Sequence, residues 1–198
     1  MSYEEIEVKF LIDDLGAMRQ RLLAIGADLK TPRSYEDNLC FDTPDERLQQ
    51  QGRLLRLRRD RRNRLTYKEP PAAADTDFKV RHEYEIEVSD FTQTRSLLEK
   101  LGFSLYFRYE KYRETFYYQE AEIVLDETPA GVFMEIEGAR AAIDTIVAQL
   151  GLDLATRLTA SYGEIFHAVR NTYQLPFTDM TFANFQGLAI DLHVCNLT

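Results

Sequence analysis

The chain has no tryptophan and only two cysteines, and the scarcity of cysteine argues against disulfide-rich and zinc-binding proteins. Cys40 and Cys195 are far apart and show no metal-ligand spacing, so we expect neither a disulfide scaffold nor a zinc site. Scarce cysteine also fits a reducing compartment, and we predict a cytoplasmic location. No apolar run reaches membrane-spanning length, and no basic segment followed by an apolar one suggests a secretory signal, so no membrane association is expected.

An excess of positive charge is also missing. Lysine and arginine number 24 against 33 aspartates and glutamates, which gives a formal net charge of −9. Proteins that bind nucleic acid through bulk electrostatics usually present a basic surface, so no nucleic-acid partner is expected. With 198 residues and 44% hydrophobic content, the chain can bury one substantial core.

Charged residues instead alternate with apolar ones, first in the segment Glu5-Ile6-Glu7-Val8-Lys9. A strand would place the three charged side chains on one face and the two apolar side chains on the other. Two carboxylates about 7 Å apart along a strand suit a hard divalent cation, and a neighbouring ammonium suits a phosphate oxygen. Taken alone, the pattern is equally typical of a half-buried strand with a solvated face.

The same alternation recurs along the chain and predicts a sheet. The predicted strands cover 5–9, 37–45 with its following turn, 54–58, 65–68, 81–88, 104–118, 122–126 and 133–137. Helices are predicted near 14–26, 90–102, 141–150 and 158–171, with a helical turn at 46–51, a loop over 70–77 and an unassigned tail from Tyr173. Most strands are joined by hairpins, so we expect an α+β fold: a closed eight-stranded antiparallel β-barrel with helices packed outside.

The charged faces of these strands would line the lumen of the barrel. Its predicted bases are Lys9, Arg56, Arg58, Lys68, Arg81, Lys111 and Arg113. Its predicted acids are Glu5, Glu7, Glu83, Glu85, Glu87, Asp126, Glu135 and Glu137.

Two interpretations of this lumen remain open at the level of the residues. The charges could form cross-strand ion pairs, each worth about 0.2–1 kcal/mol. Alternatively, the bases could hold a polyphosphate while the carboxylates hold its metal ion. Segregation favours the second, because the basic pairs cluster on middle strands and the acidic pairs on the first and last. The arginine-rich run 59–64 is interpreted as a solvated turn.

The ordered series of motifs resembles the CYTH family, the triphosphate tunnel metalloenzymes. The Glu-x-Glu-x-Lys opening is followed by Phe41-Asp42-Thr43-Pro44, Leu55-Arg56-Leu57-Arg58, Leu65-Thr66-Tyr67-Lys68, Arg81-x-Glu83-x-Glu85, Lys111-x-Arg113, Leu125-Asp126, Phe133-x-Glu135-Ile136-Glu137 and Ala160-Ser161-Tyr162. The resemblance spans about residues 1–170, which we expect to form one tunnel domain, and leaves 171–198 as a C-terminal tail.

The resemblance implies a tunnel that binds a triphosphate together with Mg²⁺ or Mn²⁺. It assigns metal binding to Glu5, Glu7, Asp126, Glu135 and Glu137, and phosphate binding to Lys9, Arg56, Arg58, Lys68, Lys111 and Arg113. Lys9, Glu5 and Glu7 would also act in catalysis. Arg81, Glu83 and Glu85 are expected to face the lumen without an assigned role.

Three functions are compatible with these motifs. The first is a metal-dependent triphosphatase that hydrolyses inorganic, nucleoside or thiamine triphosphate, and the second is a class IV-type adenylate cyclase. The segment Thr128-Pro129-Ala130-Gly131-Val132 lacks the Gly-Leu-Gly associated with cyclase-like members, which favours the hydrolase. The third is a module that binds polyphosphate or nucleotide without turnover. The expected partner is a small-molecule triphosphate, bound by a monomer or a homodimer.

Overall fold

The computed structural model describes residues 3–71 and 78–197, and for Tyr3 only its backbone. Eight strands form one sheet that closes on itself in the order β1-β5-β4-β3-β2-β6-β7-β8, with every neighbouring pair antiparallel. The strands are β1 Tyr3–Ile12, β2 Asp28–Asp42, β3 Leu54–Arg59, β4 Asn63–Glu69, β5 Lys79–Glu87, β6 Ser104–Tyr118, β7 Ala121–Thr128 and β8 Gly131–Glu137. The predicted closed antiparallel barrel is confirmed.

Five α-helices lie outside the barrel wall or across one end. They are α1 Leu15–Ala24, α2 Arg47–Gln50, α3 Phe91–Lys100, α4 Arg140–Gln149 and α5 Tyr162–Tyr173. Side-chain caps fix three of their starts: Asp14 accepts from the Ala17 amide, Asp90 from the Gln93 amide, and Ser161 forms a capping box with Glu164. None of the helices in the described residues is long and apolar enough to cross a membrane.

Strand β1 closes the barrel by changing partners halfway along its length. Its first half pairs with β5, with Glu7 opposite Lys79, and its second half pairs with β8, with Lys9 opposite Glu135. Past the residues of β1 that pair with β5, the segment before α5 pairs with β1 instead, and the Leu158 amide donates to the Lys9 carbonyl at 2.8 Å. The opening Glu-x-Glu-x-Lys motif therefore lies on the seam of the barrel.

Three apolar clusters hold these parts together. Two lie on the outer wall: one joins β1, β7 and β8 to α1 and α4, and the other joins β2 and β3 to α3. The third lies inside one end of the barrel, since Tyr109 and Phe133 stand two residues before Lys111 and Glu135 and so share the inward face of their strands. Helix α5 packs onto this interior cluster and closes that end.

The C-terminal segment 174–197 contributes to the same closed end. Met180 is fully buried, and its backbone pairs with β6 through bonds to the Arg108 carbonyl and the Glu110 amide, each 2.9 Å long. Phe185, Leu192 and Leu197 pack into the same cluster as α5. The tail that the sequence left unassigned is therefore bound to the barrel along its length.

Most predicted elements are confirmed, but several boundaries were wrong; strand β5, for example, begins at Lys79 instead of 81. Strand β2 begins at Asp28 instead of 37, and α5 begins at Tyr162 instead of 158. The helical turn predicted at 46–51 is α2, four residues long. Most of the loop predicted over 70–77 lies outside the described residues.

Candidate active site

A cavity of about 620 Å³ opens inside the barrel and is called the main cavity below. Its lining includes nearly all the predicted site residues. They are Glu5, Glu7, Lys9, Arg56, Arg58, Lys68, Glu83, Glu85, Lys111, Arg113, Glu135 and Glu137. Period-two alternation along the strands brings these side chains together from distant parts of the sequence.

Three residues predicted for the lumen, Arg81, Asp126 and Glu87, do not line the main cavity, and Glu87 instead pairs with Arg62 at the surface. Arg81 was expected to face the lumen, but its guanidinium instead donates to the Gly52 carbonyl at 2.7 Å. Asp126 is fully buried behind the cavity wall.

Asp126 organises the basic side chains around it. Its carboxylate accepts from Lys111 at 2.8 Å, from Arg113 at 2.7 and 2.6 Å, and from the Tyr162 hydroxyl at 2.6 Å. Burial, together with the charge of Asp126, raises the pKa of Tyr162 well above its usual value, so the phenol stays a donor. Asp126 thereby fixes the ends of two predicted phosphate-binding residues.

Lys9 lies at the centre of the seam and is almost fully buried. Its Nζ donates to the Ala160 carbonyl at 3.0 Å, pairs with Glu135 at 3.1 Å and lies 4.4 Å from the centre of the Tyr162 ring. Burial lowers the pKa of Lys9, and the nearby Glu135 carboxylate opposes this only in part. The backbone bond between Leu158 and Lys9 explains the contact between Lys9 and Ala160, because it places the Ala160 carbonyl beside the lysine side chain.

The acidic residues of β1 are paired with bases on β4 and β5. Glu5 binds Lys68 at 2.5 Å, and the same lysine binds Glu83 at 2.6 Å. Burial, with the neighbouring carboxylates, raises the pKa of Glu5 despite Lys68. Glu7 is different: burial alone would raise its pKa, but Lys79 at 2.6 Å, together with Lys9 and Lys68, outweighs burial and lowers it to about 2.

Sequence reasoning missed Lys79 and Glu36, both of which carry charge into the lumen. Lys79 precedes Arg81 by two residues, so a strand begun at 79 would have placed it on the lumen face. Glu36 is buried 3.6 Å from both Arg58 and Lys111, and these bases lower its pKa against the effect of burial. It was missed because the predicted strand began one residue later.

The arginine side of the cavity carries incompletely bonded guanidinium groups. Arg56 contacts the Tyr109 hydroxyl at 3.3 Å and Thr66 at 3.4 Å, and Arg58 contacts Glu85 at 3.2 Å. The buried Nε atoms of Arg56 and Arg58 have no hydrogen-bond partner among the described residues. Buried donors usually have partners, so these atoms indicate a place for an anionic ligand.

The carboxylates of the cavity have the chemistry of a metal site but are not gathered into one. Within residues 3–71 and 78–197, no three carboxylate, imidazole or thiol groups converge closely enough to hold a metal ion. Glu7, Glu137 and Glu122 nevertheless stand in register on β1, β8 and β7 and line the same cavity. Oxygen donors in this arrangement are those that Mg²⁺ and Mn²⁺ prefer, so the donor set fits such an ion.

The fold and the site together define a class of protein: a closed antiparallel barrel whose interior holds many paired acidic and basic side chains. The family model of the CYTH domain matches residues 4–162, and the chain belongs to this family. A comparison with curated protein sequences finds no match.

Solved structures share the fold. A candidate adenylate cyclase from Vibrio parahaemolyticus is 24% identical, with a TM-score of 0.73 over 85% of this chain and 100% of that one. The PH1819 protein of Pyrococcus horikoshii OT3 is 26% identical, with a TM-score of 0.68 over 80% of this chain and 95% of that one. A candidate adenylyl cyclase from Hippeastrum, described as having a dominant triphosphatase activity, is 20% identical, with a TM-score of 0.60 over 84% of this chain and 95% of that one.

Proposed function

We propose that this protein is a divalent-metal-dependent triphosphatase that hydrolyses the terminal phosphate of a triphosphate bound in the main cavity. The observation that carries the proposal is the pairing inside that cavity, where acids and bases neutralise one another across the lumen. A triphosphate with its metal ion offers each set a new partner of opposite charge. Membership in the CYTH family adds support, because the motifs that carry the resemblance supply these side chains.

In this proposal the basic residues bind and align the phosphates. Arg56 and Arg58 hold one side of the chain, while Lys111 and Arg113, fixed by Asp126, hold the other. Their charges stabilise the negative charge that develops on the leaving diphosphate.

The carboxylates Glu5, Glu7, Glu135 and Glu137 would hold Mg²⁺ or Mn²⁺, which neutralises phosphate charge when bound. A water oxygen forms the new bond to the terminal phosphorus, the bridging P–O bond breaks, and orthophosphate and diphosphate result. Lys9, held by Ala160 and Glu135, stays the predicted acceptor of the water proton. The cytoplasmic location also stays a prediction.

The second candidate is a class IV-type adenylate cyclase. Its support is the exposed ring of Tyr117, which lines the main cavity beside Glu122 and offers a flat surface for a base. In that reaction the 3′-hydroxyl of ATP attacks the α-phosphorus and diphosphate leaves.

Product identification separates the candidates. With Mg²⁺ or Mn²⁺, the purified protein should convert tripolyphosphate to orthophosphate and diphosphate. Arg56→Gln should lower kcat/KM at least tenfold, because it removes a phosphate ligand, whereas Arg95→Gln on exposed α3 should leave it unchanged. Cyclic AMP from ATP would select the cyclase, and binding without turnover would select the non-catalytic module.

A further inference from the structure

A second cavity of about 180 Å³ adjoins the main cavity where β2, β3, β4 and β6 meet. We call it the arginine compartment, because its lining contains Arg58, Arg61, Arg62, Arg64 and Arg113. Arg58, Arg64 and Arg113 also line the main cavity, so the two spaces share a wall. The run that the sequence suggested to be a solvated turn thus forms one side of a cavity.

Arginines outnumber carboxylates by five to three in the lining of this compartment. Four of the arginines are paired with acids: Arg58 with Glu36 and Glu85, Arg62 with Glu87, Arg64 with Asp60 and Glu85, and Arg113 with Asp126 and Glu135. Arg61 is exposed and forms no ion pair with the residues that the structure describes. The charge of Arg61 is therefore available to an anion.

Unpartnered donors point to the same ligand chemistry. The Nε atoms of Arg58 and Arg64 are buried and have no hydrogen-bond partner within the described residues, and Arg58 is only 6% exposed. Burying such donors without a partner is costly, so the arrangement favours a ligand that supplies acceptor oxygens. The opposite wall adds the hydroxyl residues Thr31, Ser34 and Thr115.

The lining also argues against an organic group. None of the described residues around the compartment is aromatic, whereas Tyr109, Tyr117 and Tyr162 line the main cavity. A nucleobase would gain more from those rings, and a phosphate more from the arginines.

We infer that the arginine compartment binds phosphates beyond the third, so that the protein prefers linear inorganic oligophosphates to tripolyphosphate. This inference rests on the proposed function, since it assumes that the first three phosphates occupy the main cavity. A longer chain then reaches both spaces at once, and the second set of contacts adds to the first without a second loss of translational freedom.

The test compares linear hexaphosphate with tripolyphosphate by calorimetric binding in EDTA, where no turnover interferes. Wild type should bind hexaphosphate at least thirtyfold more tightly, well above the roughly fourfold statistical advantage of its overlapping three-phosphate windows. Arg61→Gln should reduce this ratio about fivefold or more, Arg61→Lys should retain part of it, and the surface control Arg95→Gln should keep it.

A wild-type ratio at or below the statistical advantage would overturn the inference. So would an equal loss of affinity for both chains in Arg61→Gln. The proposed function fails separately. An Arg61-dependent preference for hexaphosphate without hydrolysis of tripolyphosphate would support the arginine compartment and contradict the triphosphatase activity. Hydrolysis of tripolyphosphate without any chain-length preference would support the activity and contradict the compartment.

Discussion

At the level of single residues, Glu137 lies between Glu7 of β1 and Glu122 of β7. Three carboxylates in adjacent register supply oxygen ligands for a divalent cation, although Glu7 is also paired with Lys79. Glu137→Gln should therefore remove one cation ligand and leave the other two carboxylates in place. The same substitution should weaken Mn²⁺ binding and lower activity.

Thermal melts with EDTA and with Mn²⁺ test this role. Wild type should gain stability from Mn²⁺ by mass action, about 2.7 kcal/mol at a hundred times Kd, and Glu137→Gln should gain much less. Glu99→Gln, on the exposed face of α3, serves as the control and should gain as wild type does. Equal gains in all three proteins would remove Glu137 from the metal site.

Glu85 allows a separate test of electrostatics in the folded state. Burial raises its pKa, but Arg58, the Thr66 hydroxyl and Arg64 outweigh burial and lower it to about 2. Because the folded pKa lies below the unfolded value near 4.3, the pair stabilises the fold above that value and loses its effect as pH falls toward 2. Solvent screening at this partly exposed group limits the gain to about 1 kcal/mol.

Glu85→Gln should accordingly be about 1 kcal/mol less stable than wild type at pH 7, and the difference should shrink between pH 5 and pH 3. Denaturant unfolding at several pH values measures it. Glu87→Gln is a matched control, because Glu87 pairs with Arg62 at the surface, where both side chains are more than half exposed. A difference that stays constant with pH would show that the charge of Glu85 contributes nothing.

At the level of elements, α5 joins the closed end of the barrel to the predicted chemistry. Its first residue, Tyr162, donates to Asp126 and lies beneath both Lys9 and Lys111, at 4.4 and 4.8 Å from the ring centre. The rest of the helix packs against the barrel interior and the C-terminal segment. The position of α5 therefore affects the ends of two lysines and one carboxylate.

Tyr162→Phe keeps the ring and removes only the hydroxyl. We expect a loss of about 1.5–3 kcal/mol in stability, the usual value for a hydrogen bond to a charged group, and a fall of about tenfold in kcat. Tyr173→Phe, on the same helix, removes a hydroxyl that bonds the Asp191 backbone and should leave kcat unchanged. Steady-state kinetics and denaturant unfolding of both variants measure this. Equal kinetics in both would make the Tyr162 hydroxyl purely structural.

The elements also show how far sequence patterns reach. Strand β6 was predicted at its observed bounds, 104–118, because aromatic residues recur along its whole length. The first half of β2 was missed because it is polar, mostly exposed and contains Pro32, so no alternation marks it. Helix α5 was started too early because Leu158 fits helical spacing, yet its backbone is used to close the barrel against β1.

The site residues were predicted or missed for the same reason as the elements that carry them. Lumen-facing charges could be predicted wherever a strand was recognised, as for Arg56 and Lys111. Tyr162 was predicted to lie in the helix near 158–171, but its contact with Asp126 depends on how α5 docks. Long-range docking of this kind leaves no periodic signal in the sequence.

At the level of the whole molecule, the closed barrel separates two electrostatic environments. The chain carries a net charge of −9, yet Lys9, Lys111 and several further lysines and arginines line the main cavity together with its acids. Paired charges keep this interior stable without a ligand, although taking ions out of water is costly. A triphosphate and its metal ion can exchange partners with both sets at once, which is the central claim of the proposed function.

The most direct measurement follows the oxygen of the attacking water. The protein, ATP and Mg²⁺ are incubated in ¹⁸O-labelled water, and the products are analysed by mass spectrometry. Attack on the terminal phosphorus predicts one ¹⁸O in orthophosphate and none in the nucleoside diphosphate. Cyclic AMP with unlabelled diphosphate, or no turnover of ATP and tripolyphosphate, would contradict the account.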